Sequence, residues 1–250
     1  MLQVIDNKRI KLTCGFYEPR GRAFESLRAH QRIHGLDRKQ SNPFFFSGAH
    51  RYTHGYTDNL LSIERGAEIS NIKIFLVRHG ESEANVANRI NDDPTRLVNI
   101  TRRGRAQAEA AAERLRGVPF TYAYASEFPR AQQTAEILLR HHDLQLTIDA
   151  RLNERRSGMD GLPVDAFNDA VKHDLLRYKP ARGESFLEQM ERLRSFQDEI
   201  SIRHLNETVL AVSHENPIVA ALASTVVDPE KVIGESIANC EWMELDWPVP

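Results

Sequence analysis

A chain of 250 residues is long enough for one sizeable domain with something attached, or for two small ones. Hydrophobic residues make up 41% and charged residues 27%, the composition of a soluble globular protein. A formal net charge of −2 argues against a general nucleic-acid or membrane-surface role, so any positive field must be local. No apolar run approaches membrane-spanning length and the N-terminus has no signal-peptide apolar core, which makes the cytoplasm the expected compartment. The two cysteines, Cys14 and Cys240, lie far apart and suggest neither a disulfide framework nor a zinc spacing.

Residues 1–70 differ in character from the rest. Their apolar residues show no sustained period, and they hold 11 Lys and Arg against 7 Asp and Glu, a balance of +4 that leaves −6 for the remainder. The shift marks a boundary near Ser70, so a loosely ordered N-terminal extension over 1–70 is expected ahead of a domain over 71–250. Phe44-Phe45-Phe46 is the one place in the extension able to anchor on apolar surface. A misplaced translation start is a second reading, and because the next methionine is Met159, a shorter product would need a non-AUG start near Asn71 or Ile72.

From Ile72 onward strand-like and helix-like segments alternate. Ile74 to Val77 is a continuous β-favouring run and predicts a central strand buried on both faces. Thr101 offers an N-cap to a helix whose Ala108, Ala111, Ala112 and Leu115 recur at helical spacing. Thr121 to Ala125 predicts a second strand, and Pro129 opens a helix with Ala131, Thr134, Ala135 and Leu138 inward. A short strand is expected at Leu146 to Ile148 and a weak helix over 163–177. A stronger helix follows the Ser185/Glu188 capping box, with Phe186, Met190, Leu193 and Ile200 on its apolar face. Thr208 to Val212 predicts another buried strand, then come a helix from about Pro217 and a last strand over Ile237 to Leu245. This order argues an α/β fold with a mainly parallel central sheet and helices on both faces.

Two of the buried strands run straight into histidine: Val77 leads to Arg78-His79-Gly80, and Val212 leads to Ser213-His214. In open α/β sheets ligands bind at the carboxyl ends of the strands, so adjacent parallel strands would bring both imidazoles to one edge. Arg130 falls in the first turn of a helix, where the dipole disfavours a cation unless an anion binds there. With Arg78 it would form a two-guanidinium clamp suited to the non-bridging oxygens of a phosphoryl group.

Several blocks in order resemble the histidine phosphatase superfamily, also called phosphoglycerate mutase-like, over about 71–250: Leu76 to Ser82 through Asn85; Ile100-Thr101 with Gly104 and Gln107-Ala108; Arg130-Ala131 with Thr134-Ala135; Leu152-Asn153-Glu154 with Gly158 and Gly161; Gly183-Glu184-Ser185; and Val212-Ser213-His214. The resemblance implies a phosphoglycerate mutase-like fold and makes His79 the nucleophile that takes the phosphoryl group. Arg78, Arg130 and His214 would complete the phosphate pocket, Ser82 and Asn85 would touch phosphate or substrate, and Glu154 would be the proton donor with a pKa raised by partial burial. Glu215 is the rival donor, because an acidic residue directly after the second histidine has that role in the acid-phosphatase branch; the match around Glu154 favours Glu154.

Fixed positive charge serves a loose phosphoryl-transfer transition state, so neither a metal nor another cofactor is expected. The expected activity is hydrolysis of a small phosphorylated molecule through a phosphohistidine. A cofactor-dependent phosphoglycerate mutase and a weakly catalytic phospho-ligand binding module are the alternatives. Ser157 stands where the mutases carry a tyrosine, and the stretch from Gly161 to Gly183 is as short as in the compact phosphatases, which favours water as acceptor. Substrate identity and oligomeric state are not legible. Specificity is expected from loops 88–98 and 159–182, whose Arg89, Asn91, Arg96, Arg156 and Arg182 suit a charged substrate without selecting one, the arginines reading more simply as solvated surface.

Overall fold

The computed structural model of the chain describes residues 11–12, 71–248 and 250, all within one compact unit. The expected extension, the Phe44-Phe45-Phe46 cluster, Cys14 and the proposed start near Asn71 concern residues that, apart from 11–12 and 71 onward, lie outside the described set.

In chain order the elements are β1 (Lys11–Leu12), β2 (Asn71–Arg78), α1 (Glu83–Val86), α2 (Arg102–Leu115), β3 (Tyr122–Ala125), α3 (Pro129–Leu138), β4 (Leu146–Ile148), α4 (Val164–Val171), α5 (Phe186–Arg203), β5 (Thr208–Ser213), α6 (Glu215–Ala223) and β6 (Trp242–Pro248). They form a six-stranded sheet in the order β1-β6-β2-β5-β3-β4. β2, β5, β3 and β4 pair in parallel, while β6 runs antiparallel to β2 and β1 antiparallel to β6.

β2 shows why its sequence is apolar without alternation. Phe75 and Val77 join Ala108, Ala111, Ala131 and Ala135 in the core between the sheet and α2/α3, whereas Ile72, Ile74 and Leu76 join Leu193, Phe196 and Ile218 in the core under α5/α6. A strand covered on both faces needs apolar residues at consecutive positions. Helix starts follow local chemistry: Thr101 accepts the Gly104 N–H at 3.0 Å, Pro129 is the first residue of α3, and Ser185 with Glu188 forms a capping box.

Several boundaries depart from the sequence reading, β2 starting early at Asn71 and the last strand running on to Pro248 among them. The helix expected over 163–177 stops at Val171. α6 begins at Glu215, before Pro217, because the β5 strand ends at Ser213 and the chain turns at once, with His214 as N-cap. The last strand begins at Trp242, not Ile237: residues 237–239 serve the loop over the site, and Cys240 has φ of 60°, which breaks the extended run before pairing with β2 starts.

Candidate active site

The register between β2 and β5 pairs Arg78 with Ser213, so the next residues, His79 and His214, emerge side by side. Their ring centroids are 5.0 Å apart and both side chains are buried. β3 lies on the other side of β5, with Ala125 opposite Val212, and delivers Ser126 to the same carboxyl edge. Ser126 Oγ lies 2.8 Å from His214 Nε2.

The tautomer of His79 follows from its neighbours. Nδ1 is 2.7 Å from the Gly80 carbonyl oxygen, which can only accept, so Nδ1 bears the proton and Nε2 the lone pair. Arg130 Nε donates to that Nε2 at 3.1 Å. Burial, then the Arg130 and Arg78 charges, push the His79 pKa well below its ordinary value, and burial with Arg130 does the same to His214. The two imidazoles are therefore neutral at neutral pH.

Arg130, only 4% exposed, is held by Asn91: Nη1 donates to the side-chain oxygen and Nη2 to the backbone carbonyl at 3.1 Å. Its guanidinium lies 4.3 Å from the Phe128 ring centre, and burial lowers its pKa to about 10. Arg78 donates to the Ile237 carbonyl and pairs with Glu215 at 2.9 Å. Thr134 accepts the Gly80 N–H at 3.0 Å and donates to the Arg130 carbonyl at 2.7 Å, tying the β2 end to α3. This crossing is tight: a Cβ on Gly80 would lie 2.5 Å from the Gly104 carbonyl oxygen, and one on Gly104 would lie 2.1 Å from that of Glu81.

The Leu152-Asn153-Glu154 segment is fastened by Ser213 Oγ, which donates to the Leu152 carbonyl at 2.7 Å, and by Arg192, which donates to the Arg151 and Asn153 carbonyls. Buried Glu184 binds Arg192 and accepts the Arg156 N–H at 3.1 Å, so Arg156 belongs to this fastening. Glu154 is half-buried; its Oε1 accepts the Arg155 N–H at 2.8 Å, and desolvation raises its pKa against the opposing pull of Arg155, Arg130 and Arg78. Glu215 differs in kind, since its carboxylate is taken up by Arg78 and by the Ser236 hydroxyl at 2.7 Å.

Ser82 is fully buried and caps α1, donating to Asn85 Oδ1 and accepting the Asn85 N–H. Asn85 is exposed, and with its oxygen spent on Ser82 the amide NH₂ is the group it presents. All eight sequence-expected residues but His214 line one cleft of about 560 Å³; His214 packs against the His79 ring, and its Nδ1 has no hydrogen-bond partner among the described residues. Three residues the sequence reading left off the site are Asn91, which it had named only among the polar residues of a specificity loop, Ser126 and Thr134. Ser126 had a readable signal, since it follows a strand end as His79 and His214 do. Among the other surface arginines, Arg96 pairs with Asp160 and Arg89 donates to the Gly161 carbonyl. Among the described residues no helix is long and apolar enough to cross a membrane, and no group of three or more His, Cys, Asp or Glu side chains could hold a metal ion.

The family profile of the histidine phosphatase superfamily (branch 1) matches residues 74–248. Phosphoserine phosphatase 1 of Hydrogenobacter thermophilus is 31% identical over 157 residues, covering 59% of this chain and 72% of the relative. The 2,3-bisphosphoglycerate-dependent phosphoglycerate mutase of Bartonella tribocorum is 31% identical over 184 residues, covering 66% of this chain and 87% of the relative. The crystal structure of the alpha-ribazole phosphatase from Shigella flexneri superposes with a TM-score of 0.60 at 25% identity, covering 71% of this chain and 96% of that one. Phosphatases and mutases thus both stand among its relatives. With the profile spanning the whole sheet from β2 to β6, the chain belongs to the histidine phosphatase superfamily, branch 1.

Proposed function

We propose that the protein is a metal-independent phosphomonoesterase working through a phosphohistidine at His79. The observation that carries this reading is the fixed tautomer of His79: with Nδ1–H committed to the Gly80 carbonyl, Nε2 offers its lone pair at a spot flanked by Arg130 and Arg78. Phosphoryl oxygens would take over the Arg130 Nε–H that His79 now accepts, freeing the lone pair for attack. Nε2 then bonds to phosphorus as the P–O bond breaks, and Glu154 gives its proton to the leaving oxygen. In the second half, water attacks phosphorus, its proton passes to the Glu154 carboxylate, and the P–N bond breaks to restore neutral His79. Arg78, Arg130 and His214 Nδ1 hold charge that spreads over the equatorial oxygens, the service a metal would otherwise perform. Ser82 acts by setting the amide of Asn85, whose NH₂ can donate to phosphate or substrate.

Glu154 is the better proton donor of the two candidates, because its carboxyl is raised in pKa by burial whereas that of Glu215 is engaged by Arg78 and Ser236. The test is hydrolysis of p-nitrophenyl phosphate in excess EDTA, with His79→Ala as control. Turnover that survives chelation and vanishes in the variant is expected; loss with EDTA, or an active His79→Ala, would overturn the mechanism.

The similarity to the Bartonella tribocorum enzyme supports a second reading, phosphoglycerate mutase. Ser157 speaks against it, since its hydroxyl is committed to Asp92 at 2.6 Å and does not stand in for the mutase tyrosine. Formation of 2-phosphoglycerate from 3-phosphoglycerate outpacing phosphate release would favour the mutase. The N-terminal 70 residues are proposed to be an appendage to the catalytic domain over 71–250 that, among the described residues, lends it only the two-residue edge strand β1; a chain beginning at residue 71 is expected to lose that pairing with β6 and keep its turnover.

A further inference from the structure

Beyond its phosphate floor the cleft has a second, chemically different half. α4 presents Val164, Phe167 and Val171 at positions i, i+3 and i+7, one face of a helix, and all three line the cleft. Asp165 and Asp169 are exposed on the same helix. Leu175, 41% exposed, and Val219 and Ile233 complete this wall. A surface helix usually turns its apolar face into the core; here that face borders an open cleft continuous with His79, Arg78 and Arg130. Asn88, Asn168, Asn216 and Ser236 line the cleft as well, so its apolar side chains form one wall of a mixed site, and 560 Å³ lies within the usual range for a small molecule.

The cations of the far half are already occupied. Arg155 is buried, donates Nε to the Glu184 carbonyl at 3.3 Å and Nη2 to the Tyr178 carbonyl at 3.4 Å, and stacks near Phe167 and Phe186 with its guanidinium 5.0 and 5.7 Å from their ring centres. Arg89 is exposed at the rim and donates to the Gly161 carbonyl. Glu235 also lines the cleft, and Arg78 is already paired with Glu215, so a second anionic group on a substrate would meet a carboxylate and find that cation taken.

We propose that the protein selects phosphomonoesters whose alcohol portion is uncharged and apolar, of about the size of a phenylalkyl group, seated against Val164, Phe167, Val171, Leu175, Val219 and Ile233. This rests on the phosphomonoesterase reading for the position of the phosphate. It does not depend on which carboxylate donates the proton.

Binding of non-hydrolysable phosphonates by calorimetry tests the selection apart from turnover. 3-Phenylpropylphosphonate is expected to bind at least about tenfold more tightly than ethylphosphonate, the gain that burying several apolar groups gives. 2-Carboxyethylphosphonate is expected to bind no more tightly than ethylphosphonate. Phe167→Glu, on a half-buried position of a surface helix, should shrink the phenylpropyl-to-ethyl ratio at least fivefold or so, by the same burial arithmetic. Because the ratio is taken within one preparation, a partly unfolded variant does not distort it. Equal affinities, a preference for the carboxylate, or a ratio unmoved in Phe167→Glu would each overturn the inference. Phosphate release from 2-phenylethyl phosphate, measured separately, reports on the underlying reading: selective phosphonate binding without release would refute hydrolysis and leave the selection standing.

Discussion

Replacing Glu154 by glutamine keeps the shape of the side chain and its acceptance of the Arg155 N–H at 2.8 Å, but removes the transferable proton. An alkoxide leaving group needs that proton, and a nitrophenolate barely does. For 2-phenylethyl phosphate the loss in kcat/KM, which the later water step does not enter, is therefore expected to be about 10²–10⁴-fold, the range for a positioned general acid, while p-nitrophenyl phosphate should lose only a few-fold in kcat/KM. The pH profile adds an independent sign. On the proposed mechanism kcat/KM for the alkyl ester needs neutral His79 and protonated Glu154, so it rises with pH through the His79 pKa and falls through the Glu154 pKa. Burial and Arg130 lower the first and burial raises the second, so the acid limb moves to lower pH and the basic limb to higher pH than free side chains would give. Glu154→Gln should erase the basic limb. Glu215→Gln should keep it and instead raise KM, by about five- to tenfold, because it weakens a partly exposed ion pair that holds Arg78. Equal kcat/KM losses in Glu154→Gln for good and poor leaving groups, or a basic limb that disappears only in Glu215→Gln, would refute the assignment.

Three further outcomes follow from the packing. Asn91→Ala removes the side-chain acceptor that orients the buried Arg130 guanidinium, so orthovanadate affinity should fall about tenfold, as expected for a lost charge-assisted hydrogen bond; unchanged affinity would mean the backbone carbonyl suffices. Glu184→Ala leaves Arg192 without its buried partner and should cost about 3 kcal/mol in urea unfolding, together with turnover, because the same pair fastens the Glu154 segment. Gly104→Ala places a Cβ against the Glu81 carbonyl and should destabilise by about 1–3 kcal/mol, whereas Gly117→Ala, with open space around it, should stay within about 0.5 kcal/mol; equal melting temperatures would contradict the tight crossing.

The sequence by itself determined where β2, β3 and β5 end, to within a residue. Their short β-favouring runs, with polar loops after them, read as strands, and that put His79 and His214 at the carboxyl edge of the sheet; caps and proline placed the starts of α2, α3 and α5 for local reasons that need no tertiary contact. The motif blocks then named the family. Local signals were weaker at the end of α4, the early start of α6 and the late start of β6; the end of the paired strand β5 set the second of these boundaries and the positive φ of Cys240 the third.

Only the tertiary structure decided which polar residues are spent and which are presented. Asn91 and Arg89 look alike as polar loop residues, yet Asn91 is buried against Arg130, 39 positions away, while Arg89 lies at the rim. Glu154 and Glu215 are both carboxylates beside the same pocket, and the difference between them is that desolvation acts on one and Arg78 with Ser236 holds the other. Charge state and availability depend on burial and on partners brought from distant parts of the chain, and these exist only once the sheet has closed and the loops have crossed its edge.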